Sequence, residues 1–186
     1  MAKNIQLSKV YPLGRFAGLK FSAKQSTIVA FLILWAALAL ISILVIRLPI
    51  LGGIVGGLLS ALLHYVASLW HHLGHATSAR LTGYPMSGVL FWGLLATSIY
   101  PPKERKLPPQ VHIRRALGGP VASALMSLVA AILVLILRPV GGSIWWVAIF
   151  FFLDNLLVFT LGALIPLGFT DGSTLLHWSK QRKVKV

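Results

Sequence analysis

The stretch WHHLGHATSARLTGYP, Trp70 to Pro85, decides how this chain is read. It sets His71 and His75 four residues apart, so on a helix their rings stand about 40° apart around the axis and one turn apart along it. Two imidazoles in that relation can converge on one ion at the Zn–N distance of about 2.0–2.1 Å. His72 falls within the same arc of about 100°, so three imidazoles crowd one face. His64 lies on the same stripe at about 10.5 Å of rise from His71. That is too far to share the ion, which leaves His64 open to a separate role.

The helix carrying these histidines belongs to an apolar chain. Of its 186 residues, 57% are hydrophobic and only 11% charged, and the mean hydropathy is +0.85. Such a composition marks an integral membrane protein, and no linker separates two folded units, so one membrane domain is expected. Cysteine is absent. Disulfides and thiolate ligands are therefore excluded, and any metal must be held by His, Asp or Glu. The net charge of +14 reads as basic flanks on apolar spans that meet lipid head groups, because no basic groove interleaved with aromatics is present to bind nucleic acid. No cleavable signal peptide is evident before the first apolar run.

Four apolar segments are each long enough to cross a hydrocarbon core of about 30 Å. They cover about residues 27–48, 51–81, 118–137 and 143–167. Residues 1–26 form a basic segment before the first span, 82–117 a loop, and 172–186 a basic tail. Within the loop, GVLFWGLLATSIY is too short to span as a helix, and it reads as a re-entrant or strand-like segment packed on the helices. The expected class is thus an all-α integral membrane protein with about four transmembrane helices and one such segment.

The basic residues set the orientation. Fifteen of the 17 Lys and Arg lie before the first span, between the second and third, or after the fourth; Arg47 and Arg138 alone occupy the opposite turns. Both termini are then expected in the cytoplasm of a prokaryotic plasma membrane. This topology brings Asp171, in the TDG sequence after the fourth span, to the membrane depth of His71 and His75. Only three acidic residues exist, Glu104, Asp154 and Asp171. Asp171 has the turn chemistry of a cap, yet beside an HxxxH helix it also serves as a third ligand. The resulting His71–His75–Asp171 set keeps an open fourth position, the arrangement of a hydrolytic zinc site.

Three motifs resemble those of the site-2 intramembrane metalloproteases (peptidase family M50). HHLGHATSARLTGYP is similar to that family's H-E-x-G-H-A-x-x-A-R-x-x-G-x-P; GGPVAS (118–123) to its G-G-P-x-A-N; and ALIPLGFTDG (163–172) to its N-L-x-P-x-P-x-x-D-G. The resemblance covers about residues 51–177, and it implies that His71, His75 and Asp171 are zinc ligands. It fails at groups other than the ligands. His72 stands at the general-base glutamate, while Ser123 and Ala163 replace asparagines that help position the substrate amide. His72 leaves two alternatives open: it acts as a base in place of the carboxylate, or it ligates the metal and closes the fourth position.

A carboxylate base contributes about 10²–10⁴-fold, and each lost polar donor costs ~3 kcal/mol of transition-state stabilisation. The first expectation is therefore a pseudoprotease, a metal-binding or metal-free scaffold that binds transmembrane segments or a subunit of a larger membrane complex. The second is an active zinc protease with an altered base. A third is a haem- or chlorophyll-ligating subunit that uses His64, near Trp70 and small residues.

Overall fold

The computed structural model describes residues 9–183, so Lys3 and Lys185 of the basic flanks lie outside the described residues. Apolar composition and helix length give four elements able to cross a membrane: α1 (Gln25–Leu44), α2 (Ile50–Leu81), α3 (Pro109–Leu137), and α4 with its continuation, Gly142–Gly162. In that last span, α4 (Gly142–Leu153) widens into a π-helical stretch over Asp154–Gly162. The chain then breaks at Pro166 and resumes as α5 (Asp171–Lys183). Leu and Ile side chains on α1 and α3 remain largely exposed, as expected of faces solvated by lipid.

The expectation of an all-α chain needs correction, because a small mixed sheet accompanies the helices. Its order is β1-β2-β3-β4, built from β1 (Val10–Phe16), β2 (Leu19–Lys24), β3 (Gly88–Trp92) and β4 (Leu95–Ile99). The outer pairs are antiparallel hairpins, and β2 runs parallel to β3 with Lys20 opposite Gly88. The described part of the basic segment before the first span is thus largely a hairpin, and Arg80 of α2 donates to the Ala17 carbonyl at its turn. Leu19, Val89 and Phe91 of the sheet bury against Ala76 and Ala79 of α2. The strand-like segment in the 82–117 loop is the β3–β4 hairpin, turning at Gly93–Leu94 with the positive φ at Gly93 that such a two-residue turn asks of its first residue.

The third helix starts at Pro109 rather than near Gly118. Proline at the first helical turn costs no hydrogen bond, so Pro108-Pro109 opens a helix where it had read as loop. The GGP motif consequently lies inside α3 and packs on α2. The contact is backbone to backbone: a Cβ on Gly74 would overlap the Gly118 carbonyl, and one on Gly118 would overlap that of Gly74. Close approach through small residues is how helices pack where the surrounding solvent is as apolar as their side chains.

Gly74→Leu or Gly118→Leu is therefore expected to lower stability by about 1–3 kcal/mol or more, read as a drop in thermal unfolding midpoint in detergent. Gly56→Ala, whose added methyl meets neighbours at an ordinary 3.6 Å, should leave that midpoint nearly unchanged.

Candidate metal centre

The α2–α3 crossing aims His71 and His75 at Gly119, and α5 presents Asp171 from its first residue. The Nε2 atoms of His71 and His75 are 3.0 Å apart. Asp171 Oδ2 is 3.1 Å from His71 Nε2, and its Oδ1 is 3.3 Å from His75 Nε2. A tetrahedral zinc ion with bonds of about 2.0–2.1 Å sets neighbouring ligand atoms about 3.3–3.4 Å apart. The three donors are therefore spaced for such an ion with adjustments of a few tenths of an ångström.

The far sides of both imidazoles support the same use. His75 Nδ1 donates to the Arg115 carbonyl at 2.8 Å, and His71 Nδ1 lies 3.1 Å from Ser123 Oγ. The Arg115 carbonyl, which only accepts, fixes the His75 proton on Nδ1 and turns its Nε2 lone pair toward the cluster; the Ser123 hydroxyl orients the His71 ring so that its Nε2 can do the same, as metal-binding histidines require. Gly119 completes the cradle, since a Cβ there would collide with the Nε2 atoms of both His71 and His75. Burial pushes the Asp171 carboxyl up, but the His71 and His75 imidazoles beside it outweigh that and hold the carboxyl at about 2. Asp171 is consequently an anion throughout the neutral range. The donor set fits a zinc ion.

His72 stands apart from this set. Among the described residues, the group whose ligand atoms converge is His71, His75 and Asp171. His72 Nδ1 instead donates 2.8 Å back to the Ser68 carbonyl of its own helix, and the ring borders a cavity of about 670 Å³ that the ligands also line. Ala163 lines that cavity too, as do Leu95–Ser98 of the edge strand β4. Ser123 is fully buried and acts on His71 rather than on the cavity.

Three further residues belong to the site: the sequence offered Glu104 only as one of three acids, and it singled out neither Arg115 nor Tyr100. Arg115 is 4% exposed, gripping Glu104 with bonds of 2.5 and 2.9 Å and holding its guanidinium 4.2 Å from the Tyr100 ring centroid. Glu104 lies between β4 and α3. It lines the cavity, but the Arg115 hydrogen bonds hold its carboxyl below the usual carboxylate range and occupy both its oxygens. Burial pushes the Tyr100 phenol up to about 12, so it stays a hydrogen-bond donor at the cavity wall. A charge in the third helix beside GGP was the available signal for Arg115, and scarcity among acids that for Glu104; their pairing across 11 residues had none.

His64 is also accounted for. Its Nδ1 lies 3.1 Å from Asp154 Oδ1 and its Nε2 3.0 Å from the Leu94 carbonyl. Both ring nitrogens are thus engaged by protein groups.

Four membrane-spanning helices enclosing a buried His/His/Asp cluster define a site-2-protease-like fold. A solved structure of this fold, the site-2 protease from Methanocaldococcus jannaschii, aligns with a TM-score of 0.65 over 94% of this chain and 73% of its own, at 18% sequence identity. No protein-family model matches the chain, and no curated protein matches it. Global architecture and the three motifs thus agree where overall sequence similarity is faint.

Ser123→Ala should weaken zinc binding by about 10–100-fold, the usual effect of removing the partner of a metal-bound imidazole, as measured by competition with a chromophoric chelator. Gly119→Ala should abolish binding while leaving the helical circular dichroism intact.

Proposed function

We propose that this chain is a site-2-protease-like membrane protein that holds zinc with His71, His75 and Asp171 and binds an apolar segment of a membrane partner without conventional peptide hydrolysis. One observation carries the reading: the ligand set is complete and correctly spaced, while the residue at the general-base position is an imidazole tied to its own helix. Bound zinc would supply Lewis acidity at the cavity floor. The chain's own groups would orient a ligand there: Tyr100 as a donor, the β4 edge as unpaired backbone, and apolar side chains such as Leu157 and Phe169 as wall.

The loss of turnover follows from what each group can do. A glutamate offers two oxygens, one to hold a water and one to carry its proton onward. His72 has a single free nitrogen, because Nδ1 is committed to Ser68. Ser123 is spent on His71 and Ala163 has no polar group, so neither supplies the donor that the resemblance leads one to expect. Glu104 is neutralised by Arg115. The alternative reading, an active protease using His72 as base, draws on the same free Nε2 and on the position of His72 at the cavity. The basic flanks support cytoplasmic termini in a prokaryotic plasma membrane.

Reconstituted with a model transmembrane substrate and zinc, the native chain should give no more product than His71→Ala. Product from the native chain that disappears in His71→Ala would establish the protease instead. Metal analysis should return one zinc per native chain and none for the Asp171→Ala/His71→Ala double variant.

A further inference from the structure

Outside the metal cluster, one buried ionisable pair has no part in the reading above. His64 and Asp154 sit 90 residues apart in sequence, with side chains 9% and 4% exposed. The Phe159 ring separates them from the metal ligands, lying 5.3 Å from the His64 ring and 5.7 Å from that of His71. An ionisable pair this deep in a spanning bundle is costly, so its contacts should reveal what it does.

Both neighbours of the His64 ring are acceptors. Asp154 offers its carboxylate oxygens at 3.1 and 3.2 Å from Nδ1, and Leu94 offers its carbonyl at 3.0 Å from Nε2. The pair therefore retains a proton between Asp154 and Nδ1, and Nε2–H donates to Leu94. Leu94 lies at the tip of the β3–β4 hairpin, beside the middle of α2. Two further polar groups of that tip are met by side chains. Tyr65 Oη donates to the Gly93 carbonyl at 2.9 Å, and Gly93 N donates to Ser26 Oγ at 3.2 Å. A turn at membrane depth needs such partners, because lipid supplies none.

We propose that the Asp154–His64 pair is a latch that seats the β3–β4 hairpin against α2 and so fixes the β4 wall of the metal-site cavity. Asp154 fixes the ring orientation and tautomer of His64, and His64 holds the tip. These are positioning residues and touch neither metal nor ligand. The tip has two further ties, from Tyr65 and Ser26, and β3 is laddered to β2; β4 is the outermost strand, so loosening the tip loosens its Leu95–Ser98, which border the cavity. The functional consequence rests on the reading of that cavity as a binding site; the mechanical claim does not.

Hydrogen exchange followed by mass spectrometry on the full-length protein in detergent micelles tests the latch. His64→Phe should speed exchange of amides in Gly88–Ile99 by about tenfold or more, with α2 and α3 amides unchanged. Since His64→Phe strands Asp154 without a partner and endangers folding, His64→Phe/Asp154→Leu should give the same local effect. Asp154→Asn should behave nearly as the native chain, because its amide can donate to Nδ1 and leave Nε2–H for Leu94. Unchanged hairpin exchange in the double variant, or acceleration spread equally over α2 and α3, would overturn the latch. Zinc stoichiometry measured on the same samples separates the two claims. A native chain without zinc removes the proposed function and leaves the latch standing, whereas zinc retained with an unresponsive hairpin removes the latch alone.

Discussion

The backbone contact between Gly74 and Gly118 is the constraint on which the other features rest. It lets α2 and α3 cross closely enough that the carbonyl of Arg115 reaches His75 and the hydroxyl of Ser123 reaches His71. The first contact puts the His75 proton on Nδ1 and the second orients the His71 ring, so that two Nε2 atoms face one point. A larger side chain on either glycine would separate the helices, and both imidazoles would lose their supporting partners. Gly119 extends the same logic by one residue, keeping clear the space the two lone pairs share.

A second constraint comes from the surrounding medium. Lipid offers no hydrogen bonds, so every polar backbone group at depth must be answered within the protein. The hairpin tip is answered by His64, Tyr65 and Ser26, and buried Arg115 by Glu104 and the Tyr84 carbonyl. His64, Arg115 and Asp154 are among the few buried polar side chains. Their placement explains how a metal cluster, a β-sheet edge and a sizeable cavity coexist inside a small helical bundle.

Much of this was legible in the sequence, for identifiable reasons. Membrane spans announce themselves through composition, and the spacing of His71 and His75 is a local helical property. Asp171 could be joined to them because topology brings its end of the fourth span to their depth. The N-terminal hairpin was obscured by basic residues within VYPLGRF and LKFSAK, and its parallel pairing with β3 bridges Lys20 to Gly88, beyond any local signal. The start of α3 was hidden by a proline pair that opens a helix as readily as it breaks one. Glu104 and Asp154 were visible as rare acids, but their partners depend on tertiary packing: Arg115 meets Glu104 across a loop, and His64 meets Asp154 across two helices. The π-helical widening from Asp154 onward carries no composition signature.

The central claim is that the chain keeps a three-ligand metal site from which His72 is excluded. X-ray absorption at the zinc edge of the zinc-loaded protein measures this most directly. The expected spectrum fits two imidazole nitrogens at about 2.0–2.1 Å plus oxygen ligands, and it is unaltered in His72→Ala. A third imidazole that vanishes in His72→Ala, or no bound zinc at all, would contradict the account.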